Sequence, residues 1–383
     1  MATITLDWLH VVALLGAVQG LMLAGVLAVR RRNRTANRIL AIVMLASTIS
    51  LMSAVYLAAG WEQVFPHFFG AGYLMPLLFG PLVYLYAVTA SDRARRLTRR
   101  DALHFAPFVV ALIVCLPIYL MSGPDKIAFY QALQRGEAPL VIRVIDPLKL
   151  LSGVTYATMT LLFLRRHRAR IKDSYSSLER VNLQWLVRLA AAAAAIWVLA
   201  VALEVLQSPA SQRGDDIITL AITLLVYGIG YMALRQPEIF RFDTGEYPAL
   251  APPSEPVESR YERSGLSDWE AAALKSTLLA AMEQDRPWQD SDLTLADLAR
   301  RLSTTPHKLS EVLNSQLAQT FYDFVNGYRV RYVQSRIESE DARNLKLLSL
   351  ALDAGFASKS TFNEVFKKHT GKTPSDYRRS VAA

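Results

Sequence analysis

The chain has 383 residues, of which 52% are hydrophobic and 20% charged, so it can form two or three domains and is more apolar than most proteins that lie wholly in water. Its formal net charge of +9 favours anionic partners, namely nucleic acid or anionic lipid. Its single cysteine, Cys115, excludes a disulfide framework within one chain.

The first 240 residues contain seven apolar stretches, each near the about 20 residues that a helix needs to cross the hydrocarbon core of a bilayer. Because a helix satisfies its backbone polar groups internally, we expect each stretch to form a transmembrane helix. The first stretch is too long for the core of a signal peptide and lacks a basic leader, which favours a span. The predicted spans are 6–29, 39–59, 68–90, 105–121, 147–164, 183–206 and 217–234.

The joints between these stretches alternate in charge. Clusters of arginine follow the first, third and fifth spans, whereas GWEQVFPHFFG after the second span has no lysine or arginine. The joint after the sixth span has only Arg213, and the longer loop at 122–146 has Lys126, Arg135 and Arg143. Since basic joints stay in the cytoplasm, this pattern predicts an outside N-terminus and a cytoplasmic C-terminus.

Polar residues at helical spacing within the spans suggest a ligand pocket. Ionisable groups at membrane depth are costly and tend to face the interior of a bundle, and three of them fall near the predicted outer face. Two interpretations stay open, namely a pocket for a small ligand that opens to the outside, and interhelical hydrogen bonds with interface anchors and no ligand. The candidate pocket residues are Tyr84, Lys149, Tyr156, Glu204, Asp216, Thr223 and Tyr227.

Signatures of catalysis are absent from the sequence. It contains no HExxH, GxSxG or Walker motif and no cluster of cysteine and histidine. Its six histidines are scattered along the chain. We therefore predict no catalytic centre, no metal site and no cofactor.

Residues 241–265 are rich in proline, serine and glutamate and have no apolar period, which predicts a flexible linker. Ser267 and Glu270 then form a capping box that opens a helix over 268–284. These features divide the chain into a seven-span transmembrane domain at 1–240, the linker at 241–265 and a C-terminal domain at 266–383.

The C-terminal domain contains two copies of one unit. LTLADLARRLSTTPHKLSEVLN and LLSLALDAGFASKSTFNEVFKK each predict a short helix, a turn and a second helix that follows a hydroxyl cap, Thr305 or Ser358. The segment between them, FYDFVNGYRVRYVQSRIES, has helical periodicity and predicts one long connecting helix. Two helix-turn-helix units joined by a helix indicate a domain that reads double-stranded DNA.

The outward face of each second helix carries short polar groups near the helix N-terminus, where a major groove admits them. The predicted readers are His307, Ser310, Glu311, Asn314, Lys359, Ser360, Asn363 and Glu364. The side chains that suit phosphates are Lys308, Arg329, Arg331, Lys367, Lys368, Arg378 and Arg379. From Arg300 onward 14 Lys/Arg stand against 8 Asp/Glu, a surplus small enough that affinity depends on the two copies acting together or on a homodimer.

Through DLTLADLARRL, LSEVLN, FYDFVNGYRV, AGFASKSTFNEVFKK and TGKTPSDYRR, residues 266–380 resemble the AraC/XylS family of bacterial transcription regulators. The resemblance implies two recognition helices that enter adjacent major grooves. It implies base contacts from His307, Ser310, Glu311, Lys359, Ser360, Asn363 and Glu364.

One position departs from the pattern of that family. Ser303 stands where the family usually has glycine in the first turn, which costs about 1 kcal/mol if the backbone there is left-handed. Gly355 keeps the second turn intact. The first half of the chain is similar, through FPH, GPLVYLY and HFAPF, to the seven-span sensor region of some members, and this similarity implies no known ligand.

The predicted fold is all-α, a seven-helix transmembrane bundle plus a cytoplasmic AraC-type domain with two helix-turn-helix units joined by a long helix. The predicted function is a one-component transcription regulator in the bacterial inner membrane, with promoter DNA, membrane lipid and a small-molecule ligand as partners. Two other classes stay open, namely a transporter whose tail reports substrate flux and an intramembrane enzyme with a regulatory tail. No repeat of the kind that transporters contain is evident among the spans, and only Glu204 and Asp216 approach a catalytic pair.

Overall fold

The computed structural model describes residues 7–31, 33–91, 95, 97–177, 184–206, 212–235, 266–339 and 345–382. Apart from one antiparallel bridge, between Tyr175 and Thr294, the regular secondary structure of these residues is helical, which confirms the all-α class for the described part of the chain. The chain divides into two compact units, the first from Met1–Leu164 with Leu183–Leu250, the second from Arg165–Asn182 with Ala251–Ala383. The predicted linker at 241–265 lies outside the described residues.

Within the described residues, the first 240 positions of the sequence have an α-helix at each predicted apolar stretch and one further α-helix. In chain order these helices are α1 (Trp8–Val29), α2 (Arg34–Ala58), α3 (Pro76–Ser91), α4 (Ala106–Tyr119), α5 (Gly123–Gln134), α6 (Leu140–Lys172), α7 (Gln184–Leu206) and α8 (Gln212–Arg235).

Five segments of the described chain are long and apolar enough to cross a membrane. They are Trp8–Val29, Arg34–Ala58, Asp101–Tyr119, Leu140–Ala169 and Trp185–Val205. α3 is a shorter apolar helix, and α8 is not among the five. Length and composition therefore support several membrane-spanning helices, but they do not establish all seven predicted spans.

Three helices differ most from the sequence prediction, and α3 is the first of them, since it begins at Pro76 rather than at the predicted residue 68. α5 lies in the loop at 122–146 and begins where the Ser122 hydroxyl accepts a hydrogen bond from the Asp125 backbone N–H. α6 begins seven residues before the predicted start at Pro147 and continues to Lys172, eight residues past the predicted end. The basic residues after Leu164 are good helix formers, so they extend the helix rather than end it.

Close helix crossings in the first unit depend on small residues. A Cβ at Gly20 of α1 would lie 2.6 Å from the Thr48 hydroxyl of α2, and a Cβ at Gly16 would lie 2.8 Å from a methyl carbon of Thr223 in α8. A Cβ at Gly153 of α6 would lie 2.1 Å from the indole ring of Trp197 in α7. Small residues at such positions let helix backbones approach closely, as is common in membrane bundles.

α4 leaves much of its apolar surface uncovered. Its Val109, Val110 and Ile113 side chains are 48%, 59% and 63% exposed. A helix that is apolar on all sides needs an apolar environment. This surface suits contact with lipid or with another apolar helix.

The second unit contains the capped helix and the two predicted repeats. Its helices are α9 (Asp268–Gln284), α10 (Leu295–Arg301), α11 (Pro306–Gln316), α12 (Phe321–Glu338), α13 (Leu347–Asp353), α14 (Lys359–Thr370) and α15 (Pro374–Ala382). The capping box of Ser267 and Glu270 and the bounds of α9 are as predicted. α12 is the single long connecting helix that the sequence predicts.

The core of the second unit forms around α12. Phe324, Val325 and Tyr328 of this helix pack in one cluster with Leu298 of α10 and Leu309 of α11. In the second helix-turn-helix unit, aromatic contacts link Phe356 to Phe362 and Phe362 to Phe366, and Phe366 also contacts Tyr377 of α15. Each helix-turn-helix unit thus has its own buried cluster.

Candidate nucleic-acid interface

The first predicted recognition helix, α11, is positioned by local capping and by its buried face. The Thr305 hydroxyl accepts a hydrogen bond from the Lys308 backbone N–H, and Pro306 occupies the first turn, where its missing N–H is not needed. Leu309, Val312 and Leu313 are buried, as predicted. The outward face is therefore fixed by three buried anchors and a side-chain cap.

The predicted readers on α11 differ in how free they are. His307 is exposed, whereas Lys308, Ser310, Glu311 and Asn314 are half-buried. The Asn314 amide donates to the carbonyl oxygen and to Oγ of Ser310, at 2.9 and 3.3 Å, so it is already engaged within the helix. One carboxylate oxygen of Glu311 is buried and has no hydrogen-bond partner among the described residues.

The second recognition helix, α14, presents a fully open polar face. The Ser358 hydroxyl caps it by accepting from the Thr361 backbone N–H, and Phe362, Val365 and Phe366 anchor it in the core. The predicted second-unit side chains are all exposed, namely Lys359, Ser360, Asn363, Glu364, Lys367 and Lys368. Of the two recognition helices, α14 has the larger set of polar groups that are free to meet a ligand.

The turns of the two units differ as the sequence predicts. Ser303 in the first turn has φ of 52°, the left-handed region that disfavours a residue with a Cβ. Gly355 in the second turn has φ of 85°, and a Cβ there would lie 2.5 Å from the Trp288 carbonyl oxygen and 2.6 Å from that of Gln289. Glycine is required at 355 by both backbone conformation and space.

Arg329 corrects one expectation about phosphate contacts. Its side chain is only 1% exposed, and its Nε and Nη2 atoms donate to the carbonyl oxygens of Trp288 and Asp290, each at 2.7 Å. Burial lowers the pKa of the guanidinium to about 10, so it remains charged near neutral pH. The sequence shows that position 329 carries a cation, but it does not show the backbone carbonyls that enclose the guanidinium. Because these carbonyls hold the side chain inside the protein, Arg329 has a structural role.

Lys368 is also engaged within the protein. Its ammonium lies 2.6 Å from Oδ1 of Asp323 in α12. Burial raises the pKa of the Asp323 carboxyl, but the hydrogen bond and charge of Lys368 and the hydroxyl of Thr320 outweigh it, so the net pKa is below its usual range. To contact a phosphate while it keeps this pair, the Lys368 ammonium must bind the phosphate and the Asp323 carboxylate at the same time.

Five of the seven predicted ligand residues fall in two separate clusters of the first unit. In the first, Lys149 of α6 lies 2.6 Å from Oδ1 of Asp146 and 3.7 Å from the centre of the Tyr73 ring. Asp215 interacts electrostatically with Lys149, Glu204 and Asp216, the three ionisable residues predicted from sequence. Asp216 also lies 3.8 Å from the His10 ring, while Glu204 is exposed.

The second cluster is aromatic and lies further along α6. The Tyr156 hydroxyl is 2.9 Å from Nδ1 of His104, and the Tyr84 ring is packed against both rings, with centroids 6.2 and 5.5 Å away. Gly80 permits this contact, since a Cβ there would lie 2.8 Å from Tyr156 Cβ. Tyr156 is seven residues from Lys149, about 10 Å along the helix axis.

The remaining two predicted residues lie on α8. The buried Thr223 donates to the Thr219 carbonyl oxygen at 2.8 Å and lies against Gly16 of α1. Tyr227, one turn further along, is half-buried. Asp146, Asp215, Tyr73 and His104 were not among the predicted residues, although the pair Asp146/Lys149 has the i, i+3 spacing that favours a salt bridge on a helix. No group of three metal-ligating side chains occurs in the described part of the chain.

Comparison with known proteins finds a family match within the second unit. Residues 298–380 match the family model described as a helix-turn-helix domain. The HTH-type transcriptional regulator YtdP of Bacillus subtilis strain 168 is 30% identical over 90 residues, which cover 24% of this chain and 11% of that protein. No solved structure matches the chain significantly.

Two relatives from Escherichia coli strain K12 are similar to this chain over a comparable length. The melibiose operon regulatory protein is 27% identical over 90 residues, 24% of this chain and 29% of that protein. Regulatory protein SoxS is 25% identical over 92 residues, 24% of this chain and 83% of that protein. The matched region thus spans less than a third of YtdP and of the melibiose regulator. Residues 298–380 form a helix-turn-helix domain of the AraC/XylS type, found in proteins that regulate transcription.

Proposed function

We propose that the chain is a membrane-bound one-component transcription regulator, which binds promoter DNA through both helix-turn-helix units and senses a small ligand or a membrane signal through its helical bundle. One observation carries this proposal. A pair of capped recognition helices occurs in the same chain as five helices of membrane-crossing length and composition.

The topology of this proposal places the N-terminus outside and the C-terminus in the cytoplasm. The clusters of arginine at alternate joints support it. The contacts of residues 174–176 with Leu293 and Leu295 also support it, because the joint after α6 and the C-terminal domain must then lie on the same side of the membrane. Reporter fusions after Leu234 and within 122–146 should give opposite results, and the same side for both would contradict the model.

Sequence reading is assigned chiefly to α14. Its exposed Lys359, Ser360, Asn363 and Glu364 are proposed to contact base edges, together with His307, Ser310 and Glu311 from α11. Lys308, Lys367 and Lys368 are proposed to contact phosphates. Asn314 can join the readers only after its bonds to Ser310 open.

Binding of a duplex by the fragment 265–383 tests these roles. Asn363→Ala or Lys359→Ala should relax sequence preference, at about 1–3 kcal/mol for a good base contact. Lys367→Ala and Lys368→Ala should weaken binding to all duplexes alike and flatten its salt dependence. If a lysine variant changed preference while Asn363→Ala did not, the roles would be inverted.

Sensing is assigned to the cluster around Lys149, Glu204 and Asp216. A ligand alters the output only if it binds two states of the bundle with different affinity. The composition of the linker predicted at 241–265 favours a signal that passes through association of the bundles into a homodimer, since two tethered readers raise each other's effective concentration at paired sites.

Expression of the target gene tests the sensing role. Glu204→Gln and Lys149→Met should alter this expression, while the amount of protein and the DNA affinity of the fragment 265–383 stay unchanged. Glu137→Gln is a matched control, because Glu137 is exposed and pairs only locally with Arg135 at 3.0 Å. If the two variants insert normally and regulate like the parent, the cluster is structural and the signal enters elsewhere.

A further inference from the structure

A short segment directly after α6 is bound to the helix-turn-helix domain. The Ser176 backbone N–H donates to the Leu293 carbonyl oxygen at 3.3 Å, and the Leu295 N–H donates to the Ser174 carbonyl oxygen at 3.0 Å. These two bonds flank the antiparallel pair of Tyr175 and Thr294. Residues 173–177, here called the docking strand, therefore pair with the chain just before α10.

Ser176 anchors the docking strand with side-chain and main-chain contacts. It is fully buried, and its hydroxyl donates to the Leu293 carbonyl oxygen at 2.6 Å. Its own carbonyl oxygen accepts from Nδ2 of Asn326 at 3.0 Å and from Nη1 of Arg329 at 3.1 Å. Nη2 of Arg329 also donates to the Ser176 hydroxyl at 3.2 Å.

The two donors on α12 depend on this strand. With the docking strand in place Asn326 and Arg329 are 0% and 1% exposed, and the Ser176 oxygens accept from both. A buried donor that loses its acceptor carries the full cost of its desolvation, which is larger for a charged group. Removal of the strand would therefore leave a buried cation with fewer acceptors, and this favours the docked state.

Charge complementarity extends the contact to the end of α6. The Lys172 ammonium lies 5.7 Å from the centre of the Tyr322 ring, and it also interacts with the Asp323 carboxylate. Arg168 interacts electrostatically with Tyr322 as well. Basic residues of α6 thus face the acidic and aromatic start of α12.

The docked segment leaves the second recognition helix open. Asn363, Glu364 and Lys367 of α14 are exposed while residues 173–177 occupy their site. The docked arrangement therefore permits α14 to approach DNA.

We propose that the docking strand attaches the helix-turn-helix domain to the end of α6, so that a shift of α6 reaches the recognition helices directly. This route is independent of the linker at 241–265 and adds to the association of bundles described above. The regulatory half of the proposal rests on the proposed function, whereas the attachment itself does not. Two experiments test the attachment and the transmission of a signal separately.

Disulfide cross-linking of the full chain in membranes tests the attachment. Tyr175→Cys with Thr294→Cys joins a pair that is not directly hydrogen-bonded, whose Cα atoms lie about 4.5 Å apart, within disulfide reach. Cys115→Ala removes the native thiol, and a protease site is inserted between residues 251 and 262. After oxidation and cleavage, the C-terminal fragment should stay joined to the membrane fragment until a reductant is added.

A pair out of register provides the control. Ser177→Cys with Thr294→Cys moves one thiol by two residues, about 6.8 Å along the strand, and should not cross-link. Within the first cysteine pair, Ser176→Ala should slow cross-linking at least about fivefold, because it removes the two hydrogen bonds of this hydroxyl, each worth about 0.5–1.5 kcal/mol, whereas Ser174→Ala should not. Links in neither pair, equal links in both, or links only between chains would overturn the attachment.

Insertion of four residues tests the transmission of a signal. Gly-Ser-Gly-Ser after Lys172 keeps the docking strand intact but separates it from α6, and the same insertion after Pro253 lengthens only the linker. Expression of a gene whose promoter the chain occupies should change at least about fivefold with the first insertion and stay unchanged with the second, if transmission is worth about 1 kcal/mol. Equal effects of the two insertions, including none, would refute transmission through the strand. A chain that occupies no promoter would refute the proposed function and transmission with it, and leave the cross-linking result standing.

Discussion

Replacement of Gly355 by alanine should destabilise the helix-turn-helix domain by about 2–5 kcal/mol. Backbone strain accounts for about 1–2 kcal/mol of this, since φ is 85° and an L-residue is disfavoured in that region. Overpacking adds about 1–3 kcal/mol, because the new Cβ would lie 2.5 to 2.8 Å from backbone atoms of Trp288 and Gln289. Those atoms cannot retreat freely, since the Trp288 carbonyl oxygen also accepts from Arg329.

Urea unfolding of the fragment 265–383, followed by circular dichroism, measures this loss. With a slope of about 1.5 kcal/mol per molar urea, the midpoint should fall by roughly 1–3 M. Gly371→Ala is the matched control, because Gly371 has φ of 75° but a Cβ there meets nothing within 4 Å. It should lose only the strain of about 1–2 kcal/mol. Equal losses in the two variants would refute the steric part of the reasoning.

Three further changes have expected outcomes. Ser303→Gly should raise the free energy of unfolding by about 1 kcal/mol in the same assay, because it relieves a left-handed serine; a loss of stability would contradict this. Arg329→Met should cost about 3–5 kcal/mol, since it leaves buried carbonyls without donors, yet it should not reduce the salt dependence of DNA binding as loss of a phosphate contact would. The pKa of Asp323 in the folded state is lowered from its ordinary value of 3.8, so the contribution of its carboxylate to the free energy of unfolding is complete above the ordinary value. This contribution is lost as pH falls through the lower pKa of the folded state. The difference in unfolding free energy between parent and Asp323→Asn should therefore shrink in acid, and a difference that grows there would refute this assignment.

The helices of the C-terminal domain were predictable because their signals are local. A cap, a buried period and a turn residue all lie within about four residues of the position that they determine. Ser267, Thr305 and Ser358 accept the capping bonds that the sequence indicates. α5 has the same kind of signal at Ser122, which the interpretation of 122–146 as a plain loop overlooks.

The contacts of single side chains were less predictable because they join distant parts of the chain. Ser176 and Arg329 are 153 residues apart, and no periodicity or motif links them. Burial of Arg329 and the pairing of Lys368 with Asp323 have the same origin, since composition gives the charge and only the tertiary structure gives its partner. For the same reason Tyr84 and Tyr156, predicted with Lys149 in one pocket, belong to a second cluster.

The peptide carbonyl of Trp288 has a consequence for the promoters that this chain can use. It accepts a hydrogen bond from Arg329 of the connecting helix and lies against Gly355 in the turn of the second unit. A single peptide thus links the connecting helix to the turn of the second unit, which favours a fixed phase between the two proposed recognition helices. A promoter should tolerate base changes within either subsite better than an insertion of about five base pairs between them, because half a helical turn carries one subsite to the opposite face of the duplex.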